Sequence, residues 1–106
     1  MTTEKRAIVI GAGVAGLGCA WRLVQEGWEV DVFERGTPGE GASTRAAGML
    51  APAAEVHFEE ELQLALGQAS LALYPDFVRE LEEESGVEVD YRTRGTLVVG
   101  IDRDDA

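Results

Sequence analysis

The sequence predicts an α/β fold whose first unit is a strand–helix–strand crossover with parallel strands. Three observations carry that prediction. Ala7-Ile8-Val9-Ile10 is a short apolar run rich in β-branched residues. Gly11-Ala12-Gly13-Val14-Ala15-Gly16 follows it at once and opens an amphipathic stretch. Val30, Val32 and Phe33 then form a second apolar run that ends in an acid, Glu34. Two strands joined through one helix over so short a distance require a right-handed crossover.

The elements read in order as follows. Residues 6–10 are predicted to be a buried strand. Residues 14–26 read as a helix, with Leu17, Ala20, Trp21 and Val24 on one face. Gly27 stands where a helix C-cap glycine belongs. Residues 36–54 are rich in Gly, Ala, Ser and Thr and contain Pro38 and Pro52. They are too glycine-rich for one long helix, although Ser43 or Thr44 is suited to cap a short one. From Phe58 to Ser85 the pattern is helical again. Leu62, Leu66, Ala69 and Leu73 make one stripe, and Tyr74, Phe77, Val78 and Leu81 the next. Pro75 removes a backbone donor, so a kink or a split is expected there. Gly86 is placed as a C-cap. Residues 87–91 alternate as a half-buried strand does, 92–95 can turn, and 96–99 read as a further strand. No internal repeat and no low-complexity segment occurs.

The bulk numbers bound the function. A chain of 106 residues, 45% hydrophobic and 27% charged, is globular in composition. No apolar run reaches the roughly 18–20 residues of a membrane span. The N-terminal residues run straight into a strand-like segment and do not read as a signal peptide, so a cytoplasmic location is expected. One cysteine, Cys19, cannot form an internal disulfide. The net charge is −11, and residues 55–90 carry eleven acids against one arginine. Nucleic acid is therefore an unsuitable partner, because no basic surface exists to neutralise phosphates. The acidic block reads as a solvated helix face.

The glycine turn carries the chemistry. Gly11 permits the sharp turn from strand to helix, Gly13 lets backbone approach a pyrophosphate, and Gly16 lets the helix pack closely on the strand. The helix N-terminus then offers N–H groups and partial positive charge to phosphate. Glu34 lies eighteen residues past Gly16, where a carboxylate can accept from both ribose hydroxyls of an adenosine. The same acid would repel a 2′-phosphate, which argues against NADP. The unit is thus Rossmann-like, and by itself it leaves FAD and NAD both open.

The next segment, Gly41-Ala42-Ser43-Thr44-Arg45-Ala46-Ala47-Gly48-Met49-Leu50-Ala51-Pro52, resembles a signature of the D-amino-acid-oxidase-like flavoproteins. Its Ala-Ala-Gly-Met-Leu-Ala-Pro wording is most similar to the glycine-oxidase branch of that family. The Ser-Leu-Ala-Leu-Tyr-Pro helix and the Gly-Thr-Leu-Val-Val strand resemble the same branch. The resemblance implies FAD as cofactor, with contacts from Val14, Ala15, Glu34, Arg35, Ala42, Ser43, Ala47, Gly48 and Met49 beside Gly11, Gly13 and Gly16. It implies oxidation of the amine of a small amino acid to an imine, with O2 as electron acceptor. It is compatible with a homo-oligomer of the whole enzyme. It also implies that the chain is the first part of a two-domain protein. Residues 5–86 would then begin the FAD-binding domain and 87–106 the substrate domain, both incomplete. The arginine that grips a substrate carboxylate in the family would lie beyond Ala106, so no catalytic residue and no metal ligand is named. The chain alone is expected to hold FAD weakly and not to oxidise glycine.

Other residues read as structural: Cys19 packed on the first helix, His57 on the surface, Trp21 and Trp28 in packing. For Met49 and Leu50 core packing stands beside a flavin contact. Two rival functions remain at this level. An NAD-dependent dehydrogenase explains the glycines and Glu34 but leaves residues 41–52 without a purpose. A non-catalytic nucleotide-binding or interaction module would dock a partner on helices at 58–84, and needs their apolar stripe exposed.

Overall fold

The computed structural model describes residues 4–100. The chain forms two compact units, one ending at Met49 and one beginning at Leu50.

The first unit contains β1 (Arg6–Ile10), α1 (Val14–Gln25) and β2 (Glu29–Phe33). The strands pair in parallel, with Arg6 opposite Glu29 and Ile10 opposite Phe33. The ladder runs one step further, the Gly11 N–H donating to the Phe33 carbonyl at 2.7 Å. That step delivers the glycine turn directly beside the end of β2. Helix α1 ends as its sequence suggests. Gly27 adopts φ 80°, and its N–H donates to the Val24 carbonyl at 3.0 Å. A Cβ on Gly16 would lie 3.4 Å from the Val9 side chain, so α1 covers the face of β1 that carries Val9. The opposite face is open. Ile8 is 67% and Ile10 88% exposed, so β1 is not the buried strand the sequence suggested. The reason is coverage: one helix shields one face of a two-stranded sheet, and apolar composition alone does not say which faces are shielded. Cys19 also departs from expectation and is exposed, because it lies about 100° around the helix from buried Ala20.

The second unit contains α2 (Pro52–Glu55) and α3 (Glu61–Ser85). Helix α2 is a single turn opened by Pro52 at its start, where a missing N–H costs nothing. It lies tightly against α3: a Cβ on Gly67 would come within 2.6 Å of the Pro52 Cβ. Helix α3 begins at Glu61 rather than Phe58, and Pro75 lies inside it without dividing it. Gly86 closes it in the left-handed conformation, φ 69°. Of its two apolar stripes only the second is partly covered, around buried Val78. Leu62, Leu66 and Leu73 of the first stripe are exposed.

Residues 87–91 and 96–99 do not form the expected strands, and residues 86–100 carry no regular element. A strand needs a ladder partner, and none of the described residues supplies one. Asp90 adopts φ 54° and Gly95 φ 84°, which break the extended path. The segment is held by α3 instead. The Val89 N–H donates to Glu82 Oε1 at 2.9 Å, and Tyr91 stacks on Tyr74 at 6.1 Å between ring centroids.

Among the described residues no helix is long and apolar enough to cross a membrane, and no group of three His, Cys, Asp or Glu side chains could hold a metal ion.

Candidate functional site

The site grows from the turn between β1 and α1. Gly11 takes φ 98°, a conformation that a side chain would strain, and so reverses the chain out of the strand. A Cβ on Gly16 would collide with the Gly11 carbonyl, so the first turn of α1 can lie on the glycine turn only with hydrogen there. Ala12 occupies the tip of the turn and is 2% exposed.

The segment after β2 folds back onto this turn through three hydrogen bonds. The Ala12 N–H donates to Glu34 Oε2 at 2.8 Å. The Gly39 N–H donates to the Ala12 carbonyl at 2.8 Å, so the buried residue is held from both sides. The Val14 N–H donates to Ser43 Oγ at 2.9 Å. Glu34 and Ser43 thus reach the turn from 22 and 29 residues away. The second Glu34 oxygen accepts the Gly36 N–H at 2.9 Å.

These donors set the electrostatics. The Ala12 N–H above all, then the Gly36 N–H, hold the Glu34 carboxyl below its ordinary value, against a smaller opposing effect of desolvation and with help from neighbouring Arg35. Glu34 is therefore an anion at neutral pH. A carboxylate has about four acceptor positions. The Ala12 and Gly36 N–H groups take one position on each oxygen, and acceptor capacity remains for hydroxyls. At the other end, the N–H groups of Ala15 and Gly16 have no partner among the described residues, as first-turn donors of a helix do not. Paired acceptors on one flank and free donors at a helix start on the other fit a ribose joined to a pyrophosphate.

The structure therefore brings together Gly11, Gly13, Val14, Ala15, Gly16, Glu34 and Ser43. Ala42 lies with Ser43 in a 3-10 turn, Ala42–Thr44, that has no side-chain cap; the Thr44 hydroxyl donates to the Gly41 carbonyl at 3.0 Å. Ser43 or Thr44 was expected to cap a short helix here; neither does, and Ser43 serves α1 instead. Arg35 is exposed beside Glu34. Ala47, Gly48 and Met49 lie in exposed coil, with Gly48 at φ 79°; Met49, 64% exposed, and Leu50 are not core residues here. Sequence reading missed Ala12, Gly36 and Gly39, whose roles are carried by backbone. The Pro38-Gly39 pair was the one available signal, since that dipeptide marks a turn.

Fold and turn define a dinucleotide-binding unit, and comparison with known proteins narrows it. The family model described as FAD dependent oxidoreductase (DAO) matches residues 6–106. A thiamine biosynthesis oxidoreductase, ThiO, of Rhizobium etli is 43% identical over 100 residues, covering 93% of this chain and 28% of that protein. A glycine oxidase of Geobacillus kaustophilus is 32% identical over 106 residues, covering all of this chain and 28% of that protein. A bifunctional ThiO/ThiG protein of Trichormus variabilis is 39% identical over 90 residues, 85% of this chain and 14% of that protein. No solved structure matches the chain significantly. The chain belongs to the DAO family of FAD-dependent oxidoreductases, and FAD is its cofactor. It spans little more than a quarter of the length of the first two relatives, 28% of each.

Proposed function

We propose that this chain supplies the ADP-binding part of a cytoplasmic flavoenzyme that oxidises the amine of glycine, or of a related small amino acid, in thiamine biosynthesis. The observation that carries the reading is the clasp between Glu34 and the glycine turn, set beside free helix N–H groups. The printed functions of the relatives supply the substrate class. In this reading Glu34 accepts from the ribose hydroxyls, and Val14, Ala15 and the turn Gly11–Gly16 face the pyrophosphate. Arg35, Ala42, Ser43, Ala47, Gly48 and Met49 line the rest of the cofactor's path. Residues 5–86 begin the FAD domain and 87–106 the substrate domain of a two-domain protein.

FAD, when bound, supplies the two-electron redox chemistry that turns amine into imine, with O2 reduced to hydrogen peroxide. No catalytic role is assigned to the residues of this chain. Their work is to fix the cofactor's anionic end: a preset anion for the hydroxyls, preset donors for the phosphates, and little reorganisation on binding. The exposed α3 stripe meets the requirement of a docking module, but the family match over residues 6–106 favours the enzyme.

Titration of the chain with FAD, ADP and NADH, followed by fluorescence and calorimetry, tests the proposal. FAD and ADP are expected to bind with similar affinity and NADH more weakly, with no peroxide released from glycine or sarcosine. NADH bound more tightly than FAD, or peroxide formed by these 106 residues alone, would overturn it.

A further inference from the structure

Helix α1 has no cap of its own. Its N-cap is Gly13, which has no side chain to offer. Helices begin best on Ser, Thr, Asp or Asn because an oxygen must accept one of the first free N–H groups. Here that oxygen arrives from 29 residues further along the chain, as the Ser43 hydroxyl on the Val14 N–H. The same hydroxyl lies 3.2 Å from where a Cβ on Gly13 would project. Gly13 therefore leaves space for Ser43 as well as for a phosphate.

We propose that Ser43 is a positioning residue: it caps α1 in place of Gly13 and so fixes which N–H groups face the cofactor's pyrophosphate. The idea rests on the flavoenzyme reading but goes beyond a contact role, because Ser43 acts through Val14 and Gly13. With the Val14 donor engaged, Ala15 and Gly16 are left to point at the anion. Without it, the first turn can fray, and the donors lose their common direction.

Ser43→Ala, Ser43→Thr and Gly13→Ala in the full chain test this, with ADP and adenosine as probes and amide exchange at Val14 read without ligand. Ser43→Ala is expected to speed Val14 exchange about fivefold, the factor that corresponds to a cap of about 1 kcal/mol. ADP affinity should fall by a similar factor while adenosine, which has no phosphate, binds as before. Ser43→Thr should restore both, since it keeps the hydroxyl. Gly13→Ala should also speed Val14 exchange, because its Cβ crowds the hydroxyl away. A Ser43→Ala chain indistinguishable from wild type in Val14 exchange and ADP affinity overturns the cap alone. So does an equal loss of ADP and adenosine without rescue by Thr. A wild-type chain that binds neither FAD nor ADP overturns the cofactor reading itself.

Discussion

The Glu34 carboxylate meets two backbone N–H groups, and both favour the ionised form. Its pKa is lower in the folded chain than in the unfolded one. Its contribution to stability is therefore fully present above the ordinary value and is lost as pH falls through the folded one. The Ala12 amide reports this directly, because its proton lies on the carboxylate. Its chemical shift should titrate with a midpoint below 4.5, the ordinary glutamate value. Glu34→Gln should abolish that titration and weaken ADP binding. A midpoint at or above the ordinary value would mean that the clasp is not formed in solution. Glu34 was legible in the sequence because an acid at the end of the second strand has a fixed place relative to the glycine turn. Its partners were not, because backbone donors such as those of Ala12, Gly36 and Gly39 have no letter of their own. Ser43 was legible as a polar cap, but which helix it serves depends on how the 36–43 segment returns, and local pattern does not encode that.

Helices and strands differ in how much of them local sequence can specify. α1 and α3 carry their own hydrogen bonds, so their periodicity and their closing residues, Gly27 and Gly86, located them well. Pro75 forfeits one such bond, and α3 continues through it because the rest of the helix retains its own. The run 87–99 depends on a partner strand, and its alternation could not supply one. Contact between elements is also hidden from pattern, and Gly67 shows how. In mid-helix a glycine is about 1 kcal/mol worse than alanine, so Gly67→Ala would be stabilising if nothing lay against it. The Pro52 Cβ would then stand 2.6 Å from the new methyl group. Overpacking of this kind costs about 1–3 kcal/mol, so Gly67→Ala is expected to lower stability by about 1 kcal/mol in urea denaturation. Pro52→Gly removes the opposing methylene, so Gly67→Ala made in that background should regain the helix-propensity benefit. A rise in stability from Gly67→Ala alone would show that α2 does not pack as described.

At the level of the whole molecule the decisive quantity is which apolar surface is covered. The composition announced a globular protein, yet among the described residues only Ala12, Ala20, Ala51 and Val78 are buried hydrophobics. Ile8 and Ile10 stand open on one sheet face, and Leu62, Leu66 and Leu73 on α3. Parallel sheets persist where both faces are shielded, and a two-stranded sheet is marginal without such packing. Apolar patches of this extent call for cover, from chain outside residues 4–100 or from another copy. The sequence could not reveal this, because an apolar letter is the same whether its face is shielded or open. The glycine turn is anchored at the carboxyl ends of β1 and β2, so separation of the two strands would part Gly11 from Glu34. The isolated chain is therefore expected to bind a hydrophobic dye such as ANS, to associate as concentration rises in sedimentation velocity, and to lose FAD during gel filtration. A monomer with no dye binding, a single sharp unfolding transition and retained yellow flavin would show that these faces need no further cover.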